Sequence, residues 1–181
     1  MLAVGAGMMR KMSFSTTELR TGSLLTAAVV TVSDSCARGE REDLSGPAVA
    51  RLLEKLHFHV VTQEVVADDL IPIQNLLIRL TREVRLVATT GGTGIAPRDV
   101  TPEATMAVCD RLVDGVAERM RSEGVKTTPF AALSRGVCGV RGRTLILNLP
   151  GSPSGAVESL KAVAGMIPHA IDLLSGKTEH S

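Results

Sequence analysis

The chain has 181 residues, of which 44% are hydrophobic and 22% are charged, as expected for one globular domain of ordinary size. Its 20 Lys and Arg residues nearly balance its 19 Asp and Glu residues, so the net charge of +1 predicts no basic surface for a polyanion. With three Phe and no Tyr or Trp, the chain also lacks aromatic platforms for base stacking, and we expect no nucleic-acid partner.

The N-terminal segment predicts neither a secretory signal nor a membrane anchor. Its apolar stretch at residues 1–9 precedes its basic residues, which is the wrong order for a signal peptide, and no apolar run approaches the roughly 20 residues of a membrane span. We expect flexible tails at residues 1–22 and 177–181 around a single domain at residues 23–176. The start of translation stays open among four methionines: Met1, Met8, Met9 and Met12.

Three widely spaced cysteines without a C-x-x-C pair favour a reducing compartment, and we expect the protein to be cytoplasmic.

From residue 24 onward, apolar β-branched runs alternate with segments of helical periodicity. The predicted strands cover residues 24–32, 58–66, 85–90 and 144–149. The first predicted helix begins near residues 45–47, and the second covers residues 71–80. A third begins with Thr101 as its N-cap, and helix is predicted through Arg121. The last predicted helix covers residues 156–174. A short strand is expected around Ala131. Strand, helix and strand in repetition predict a three-layer α/β/α sandwich with a mostly parallel sheet.

Two glycine-rich turns follow predicted strands, at the sheet edge where α/β proteins bind ligands. The first turn contains Gly91, Gly92, Thr93 and Gly94. Its missing side chains would let backbone N–H groups approach an anion, although a tight turn without a ligand explains the glycines equally well. No Lys follows as in a P-loop, and Pro97 stands where a dinucleotide fingerprint has its third glycine.

The second turn contains Pro150, Gly151 and Ser152, with Ser152 predicted as the N-cap of the last helix. A helix N-terminus there offers an anion site, or the motif is architecture alone.

Two acidic positions are candidates for a magnesium site. Asp99 and its neighbour Arg98 follow the first glycine turn, where an arginine suits phosphate and a carboxylate suits Mg²⁺. Asp68 and Asp69 follow the second predicted strand, whose carboxyl end would lie at the same edge of a parallel sheet. In each case a local role is the alternative: an Asx turn for Asp99 and helix capping for the Asp68 pair.

Ser134 and Arg135 form a further candidate anion site, since Arg grips phosphate with two bonds. With Arg141 and Arg143 nearby, a solvated charged face is the alternative.

Six short motifs, read together, closely resemble the MogA/MoaB family of molybdenum cofactor biosynthesis. They are V-S-D at 32–34, D-L-S-G-P at 43–47, T-G-G-T-G at 90–94 with P-R-D-V-T-P-E-A at 97–104, T-P-F at 128–130, L-S-R at 133–135, and N-L-P-G-S-P at 148–153. The resemblance runs from about residue 28 to residue 174 in unbroken order.

The resemblance implies a molybdopterin adenylyltransferase, which uses Mg-ATP and molybdopterin to make adenylyl-molybdopterin and pyrophosphate. It places the family's two functional carboxylates at Asp68 and Asp99, which would hold Mg²⁺. The residues expected to bind substrate are Ser33, Asp34, Gly91, Gly92, Thr93, Gly94, Arg98, Ser134, Arg135, Pro150, Gly151 and Ser152. The resemblance also implies a homo-oligomer, either a trimer or a hexamer, and possible transfer of the product to a MoeA-type molybdate-insertion protein.

One position departs from the resemblance: several adenylylating members have Ser where this chain has Gly124, which leaves the pterin contacts on that side open. Two other functions also stay open. One is a carrier that binds molybdopterin without adenylylating it, and the other is an unrelated Rossmann-like protein that binds a different nucleotide.

Overall fold

The computed structural model describes residues 25–176, so the predicted tails at 1–22 and 177–181 lie outside the described residues. The strands are β1 (Thr26–Val32), β2 (His59–Val66), β3 (Leu86–Thr90), β4 (Arg111–Leu112), β5 (Cys138–Arg141) and β6 (Thr144–Leu149). The α-helices are α1 (Asp34–Ala37), α2 (Ser45–Lys55), α3 (Leu70–Leu80), α4 (Thr101–Val108), α5 (Asp114–Gly124), α6 (Pro153–Val163) and α7 (Ile167–Leu174). A 3₁₀ helix covers Pro129–Leu133.

The six strands form one sheet in the order β2-β1-β3-β6-β5-β4. The first four strands of that order run parallel, whereas β5 and β4 pair antiparallel. The predicted three-layer fold with a mostly parallel sheet is therefore confirmed. Because the chain crosses from β1 to β2 on one side and then to β3 on the other, the strand order switches between β1 and β3. A crevice for ligands is expected outside the carboxyl ends of these two strands.

Both faces of the central strands are buried, which explains their nearly continuous apolar sequence. In β1, Ala27 and Val29 pack on one side, against α2 and other helices, while Ala28 and Val30 pack against α3 and α4 on the opposite side. The first face also carries buried side chains of α5, α6 and α7. Helices thus fix the sheet from both sides and leave its carboxyl edge free.

The structure differs from the sequence predictions in several local elements. The segment around Ala131 is a 3₁₀ helix and not a strand, since Pro129 at its start has no N–H to donate to a sheet. The short strands β4 and β5 were not predicted. The last helix is two helices, α6 and α7, separated by a turn that contains Gly165.

Candidate active site

The carboxyl ends of β1, β3 and β6 surround a cavity of about 780 Å³ next to the switch in strand order. Each of the three strands delivers predicted site residues to its wall. They are Ser33 and Asp34 after β1, Gly91 and Gly92 after β3, and Gly151 and Ser152 after β6. Asp68, which follows β2, and Asp99 line the same cavity. The structure therefore brings together side chains that are far apart in the sequence.

Asp34 and Asp68 hold each other through reciprocal hydrogen bonds. The Asp34 N–H donates to Asp68 Oδ2 at 2.7 Å, and the Asp68 N–H donates to Asp34 Oδ1 at 3.0 Å. Asp69 takes the N-cap position of α3 and makes no capping bond with its side chain. The capping alternative for this acidic pair is thus not what the structure shows, and Asp68 is fixed toward the cavity instead.

Arg98 contacts Asp34 through both Nε and Nη2, at distances of 2.7 to 3.0 Å. The predicted phosphate ligand is therefore engaged with a carboxylate, and its side chain is 64% exposed and is not among the residues that line the cavity. Burial acts to raise the pKa of Asp34, but the bonds from the Asp68 N–H and from Arg98 outweigh it and lower that pKa. Arg98 ties the loop that carries Asp99 to α1.

Asp99 folds back onto its own loop through one oxygen. Its Oδ2 accepts from the Ala96 N–H at 2.8 Å, so that atom has a local role, but the donor lies three residues before Asp99 and the bond is not the predicted Asx turn. Gly94 permits this arrangement, because a Cβ there would lie 2.8 Å from the same oxygen. Oδ1 has no hydrogen-bond partner within residues 25–176, and Asp99 still lines the cavity. The loop thus holds the carboxylate in place and leaves one oxygen for a ligand.

The three carboxylates concentrate negative charge at the cavity. Burial raises the pKa of Asp68, the negative charges of Asp34 and Asp99 add to this increase, and the Asp34 N–H and Arg98 oppose it. No group of three or more His, Cys, Asp or Glu side chains in the described part of the chain forms a ready metal site. Two carboxylates are nevertheless sufficient for a magnesium ion that takes its other ligands from phosphates and water.

The first glycine turn adopts a left-handed backbone conformation and is bonded to the end of β6. Gly91 and Gly92 have φ angles of +91° and +60°, which favour glycine. The Gly91 N–H donates to the carbonyl of Leu149 at 3.1 Å. For the N–H groups of Gly92, Thr93 and Gly94, no protein acceptor lies within bonding distance among the described residues. These three donors are therefore free for a ligand.

Thr101 is not the N-cap of α4, as was predicted. Val100 takes that position, and Thr101 is the first helical residue, with its hydroxyl donating to the Gly91 carbonyl at 2.9 Å. Its own N–H donates to the Gly92 carbonyl at 3.1 Å. The buried threonine thus ties α4 to the glycine turn.

The second glycine turn packs directly on the first. A Cβ placed on Gly151 would lie 3.2 Å from the Gly91 Cα, so the two turns meet backbone to backbone. Ser152 is the predicted N-cap of α6, accepting from the Gly155 N–H at 3.2 Å. Pro150 precedes this pair and lines a second cavity, described next.

A second cavity, of about 420 Å³, lies next to the first. The two cavities share four residues: Gly92, Asp99, Gly151 and Ser152. The second is lined on its far side by Phe130, Ser134 and Glu158. Its wall also includes Thr93 and Ser159, which are 5% and 8% exposed, and their hydroxyls have no partner within residues 25–176. Ligands in the two cavities would meet at the shared glycine turns.

Arg135 has a different role from the predicted anion ligand. Its guanidinium donates to the carbonyl oxygens of Gly94 and Asp99 and to the Glu103 carboxylate, and it lines neither of the two cavities. Partial burial acts to raise the pKa of Glu103, but the bond from Arg135 prevails and lowers it. Its neighbour Ser134 lines the second cavity, as predicted.

A buried polar network at the floor of the first cavity was not predicted. Asp43 accepts from the Thr31 hydroxyl at 2.6 Å and from the Gly46 N–H at 3.0 Å, and the Ser45 and Thr90 hydroxyls lie 2.8 Å apart. The D-L-S-G-P motif was the available signal, since an Asp and a Ser before a helix suit its free N–H groups.

Gly124, the position where the resemblance departs, lines both the second cavity and a small side cavity of about 30 Å³. A Cβ placed on Gly124 would lie only 2.9 Å from the Ala131 Cβ. The glycine therefore lets the 3₁₀ helix pack closely on the end of α5.

This fold and this site define an α/β ligand-binding protein with two adjoining cavities at the carboxyl edge of its sheet. The sequence profile of the family described as "Probable molybdopterin binding domain" matches residues 28–169. The chain belongs to this family of molybdenum cofactor biosynthesis, and the resemblance is confirmed.

The chain is similar to characterised members along most of its length. It is 44% identical to a molybdopterin adenylyltransferase of Helicobacter pylori, over 82% of this chain and 86% of that protein. It is 37% identical to the molybdopterin adenylyltransferase of Escherichia coli, over 84% and 86% of the two chains. The solved structure of the molybdopterin biosynthesis enzyme MoaB from Thermus thermophilus is 51% identical and superposes with a TM-score of 0.80, covering 84% of this chain and 98% of that one.

Among the helices of residues 25–176, none has the length and apolar character needed to cross a membrane.

Proposed function

We propose that this protein is a molybdopterin adenylyltransferase, which transfers the adenylyl group of ATP to molybdopterin. The observation that carries the proposal is the pair of cavities that meet at Gly92, Asp99, Gly151 and Ser152. Two substrates that react with each other need two sites with a common border. The relatives named molybdopterin adenylyltransferase, at 37% to 44% identity, support the same reaction.

The larger cavity suits the nucleotide. It has a volume of about 780 Å³, and its lining includes Gly92, whose N–H group has no acceptor among the described residues, and the carboxylates of Asp68 and Asp99. The smaller cavity, with hydroxyls and one aromatic ring, then takes molybdopterin. This arrangement directs the terminal phosphate of molybdopterin toward the shared glycine turns, where the α-phosphate of ATP would lie.

The reaction requires no activated side chain. An anionic oxygen of the molybdopterin phosphate attacks the α-phosphorus of ATP, a new P–O bond forms, and the bond to the β-phosphate breaks with its electron pair leaving on pyrophosphate. Catalysis is then mainly positioning and charge neutralisation. This agrees with the absence of any Ser, Cys or His arrangement for nucleophilic catalysis at the described cavities.

Asp68 and Asp99 fit a magnesium ion that arrives with ATP. Each has one carboxylate oxygen without a hydrogen-bond partner in the described residues, and the excess negative charge around Asp68 favours a cation. When bound, Mg²⁺ supplies neutralisation of the phosphate charge. The protein's contribution is to hold both carboxylates rigidly, through the Asp34 N–H for one and the Ala96 N–H for the other.

Around this core we propose a cytoplasmic homo-oligomer, a trimer or a hexamer, that passes its product to a MoeA-type insertion protein. The free cysteines Cys36, Cys109 and Cys138 suit a reducing compartment. Exposed apolar side chains away from the two cavities, including Ile71 at 57% exposure, supply surface for association. Light scattering would show three or six times 19.0 kDa in solution.

The proposal is tested by incubating the purified protein with Mg-ATP, with and without molybdopterin. We expect pyrophosphate release only when molybdopterin is present, together with a product heavier by one adenylyl group. Tight molybdopterin binding without pyrophosphate release would instead identify a carrier. Tight binding of another nucleotide with no affinity for molybdopterin would identify the unrelated nucleotide binder.

A further inference from the structure

We infer that Arg135 is a positioning residue that acts through Asp99, by holding the loop between β3 and α4 in the shape that presents the Asp99 carboxylate to the nucleotide cavity. This inference rests on the proposed function, in which Asp99 helps to bind Mg-ATP.

Arg135 bridges the two arms of that loop. Its Nε donates to the Gly94 carbonyl at 2.6 Å, near the start of the loop, and its Nη2 donates to the Asp99 carbonyl near the end. Its backbone N–H also donates to the Thr93 carbonyl at 2.8 Å. One residue from a distant part of the chain therefore fixes the loop at three carbonyl oxygens.

Glu103, in the first turn of α4, is a further partner of the Arg135 guanidinium. It accepts from Nη1 and, at 3.4 Å, from Nη2 of Arg135. The contacts of Arg135 with Gly94, Asp99 and Glu103 are together called the clamp. The planar guanidinium thus joins the loop to the helix that follows it, so that both ends of the Asp99 segment are anchored. The Arg135 side chain is 38% exposed, yet it faces neither described cavity.

The consequence for Asp99 is geometric. Arg135 binds the carbonyl oxygen of Asp99 and so fixes the backbone that carries the Asp99 side chain. In that side chain Oδ2 accepts from the Ala96 N–H, and Oδ1 is left for a ligand. Among the described residues, the other contacts that hold residues 96–99 are the hydrogen bonds between Ala96 and Asp99 and the exposed Arg98 ion pair with Asp34.

A lysine cannot replace this arrangement. Its three N–H groups radiate from one nitrogen, whereas Gly94, Asp99 and Glu103 are reached from three different nitrogens of the guanidinium. Arg135→Lys therefore keeps the charge and loses the clamp.

The test measures binding of Mg²⁺ and α,β-methylene-ATP, a nucleotide that cannot release pyrophosphate, by calorimetry. Residues that orient a ligand-binding side chain commonly change affinity by about 10- to 100-fold, so we expect at least tenfold weaker binding for Arg135→Ala and for Arg135→Lys. We expect the double variant Asp99→Ala, Arg135→Ala to bind no more weakly than Asp99→Ala alone. Hydrogen exchange should show faster exchange in residues 94–99 for both Arg135 variants.

Arg141→Ala is the matched control. Arg141 also donates its guanidinium to a backbone carbonyl, that of Val108 at 2.6 Å, but it pairs with the first residue of β6, at the opposite end from the cavities. It should leave nucleotide affinity unchanged, whatever its effect on thermal unfolding. If Arg135 were merely structural, Arg135→Lys would bind the nucleotide as the wild type does.

The outcomes separate this inference from the proposed function. The positioning role alone would be overturned if the Arg135 variants bound the nucleotide with wild-type affinity. It would also be overturned if the double variant lost affinity by the product of the factors measured for Asp99→Ala and Arg135→Ala separately. Nucleotide binding by the wild type without adenylylation of molybdopterin would overturn the proposed function alone. A wild-type protein that does not bind the nucleotide at all would overturn both.

Discussion

Replacing Gly91 with Ala tests how closely the first glycine turn packs against the end of β1. Gly91 has a φ of +91°, and an added Cβ would overlap the backbone carbonyl oxygen of Val32. The left-handed backbone costs an L-residue about 1–2 kcal/mol, and an overlap inside a packed region costs about 1–3 kcal/mol more. We therefore expect Gly91→Ala to lower the free energy of unfolding by about 2–5 kcal/mol.

Urea denaturation at a fixed protein concentration measures this loss, and two other glycines separate its parts. Gly142 has a φ of +57°, and no other part of the described chain comes within 4 Å of an added Cβ, so Gly142→Ala should lose only the backbone part, about 1–2 kcal/mol. Gly115 lies in α5, and beyond the helix's own backbone no described residue comes within 4 Å of its added Cβ. Gly115→Ala should gain about 0.4–1 kcal/mol. If Gly91→Ala loses no more than Gly142→Ala, the close contact with Val32 does not exist as described.

Two further predictions concern single side chains. Asp68→Asn keeps an oxygen for the Asp34 N–H and removes the charge, so turnover in the adenylylation assay should fall at least a hundredfold, about 2.7 kcal/mol, while molybdopterin binding survives; turnover near that of the wild type would refute the metal assignment. Burial raises the pKa of Cys109 to about 11 and that of Cys138 to about 12. Iodoacetamide at pH 8 should therefore label only Cys36 in the native protein and all three thiols in urea, as counted by mass spectrometry; native labelling of Cys138 would contradict the buried position of β5.

The sheet and its order of elements could be predicted because each central strand is buried on both faces. That burial demands the apolar β-branched runs that mark β1, β3 and β6 in the sequence. The convergence of Asp68 and Asp99 followed from the same pattern, since parallel strands deliver the loops after their carboxyl ends to one edge.

The orientation of individual side chains could not be predicted. Arg135 was expected to bind an anion, and only the fold shows that two loop carbonyls and Glu103 lie within its reach. Likewise, the Arg98 ion pair with Asp34 depends on the distance between two loops that are 64 residues apart in the chain. The local sequence pattern indicates which side chains of an element are buried, whereas contacts of this kind depend on how separate elements pack against each other.

The short elements were missed for a related reason. β4 has two residues and β5 has four, so neither strand is long enough for a pattern of apolar residues to be recognised. Gly139 within β5 further weakens the strand signal. β5 forms by pairing with β6, and β4 forms by pairing with β5, so both strands depend on tertiary contacts.

Adenylyl transfer between ligands in the two cavities is tested most directly by following where the α-phosphate of ATP ends up. With ATP labelled at the α-phosphate, we predict that the label moves to molybdopterin. With ATP labelled at the γ-phosphate, we predict that the label stays in pyrophosphate. Asp99→Ala should transfer the α-label at least a hundredfold more slowly, which corresponds to about 2.7 kcal/mol of transition-state stabilisation. Transfer of the γ-label to molybdopterin, or no transfer of either label by a protein that binds both substrates, would contradict the account.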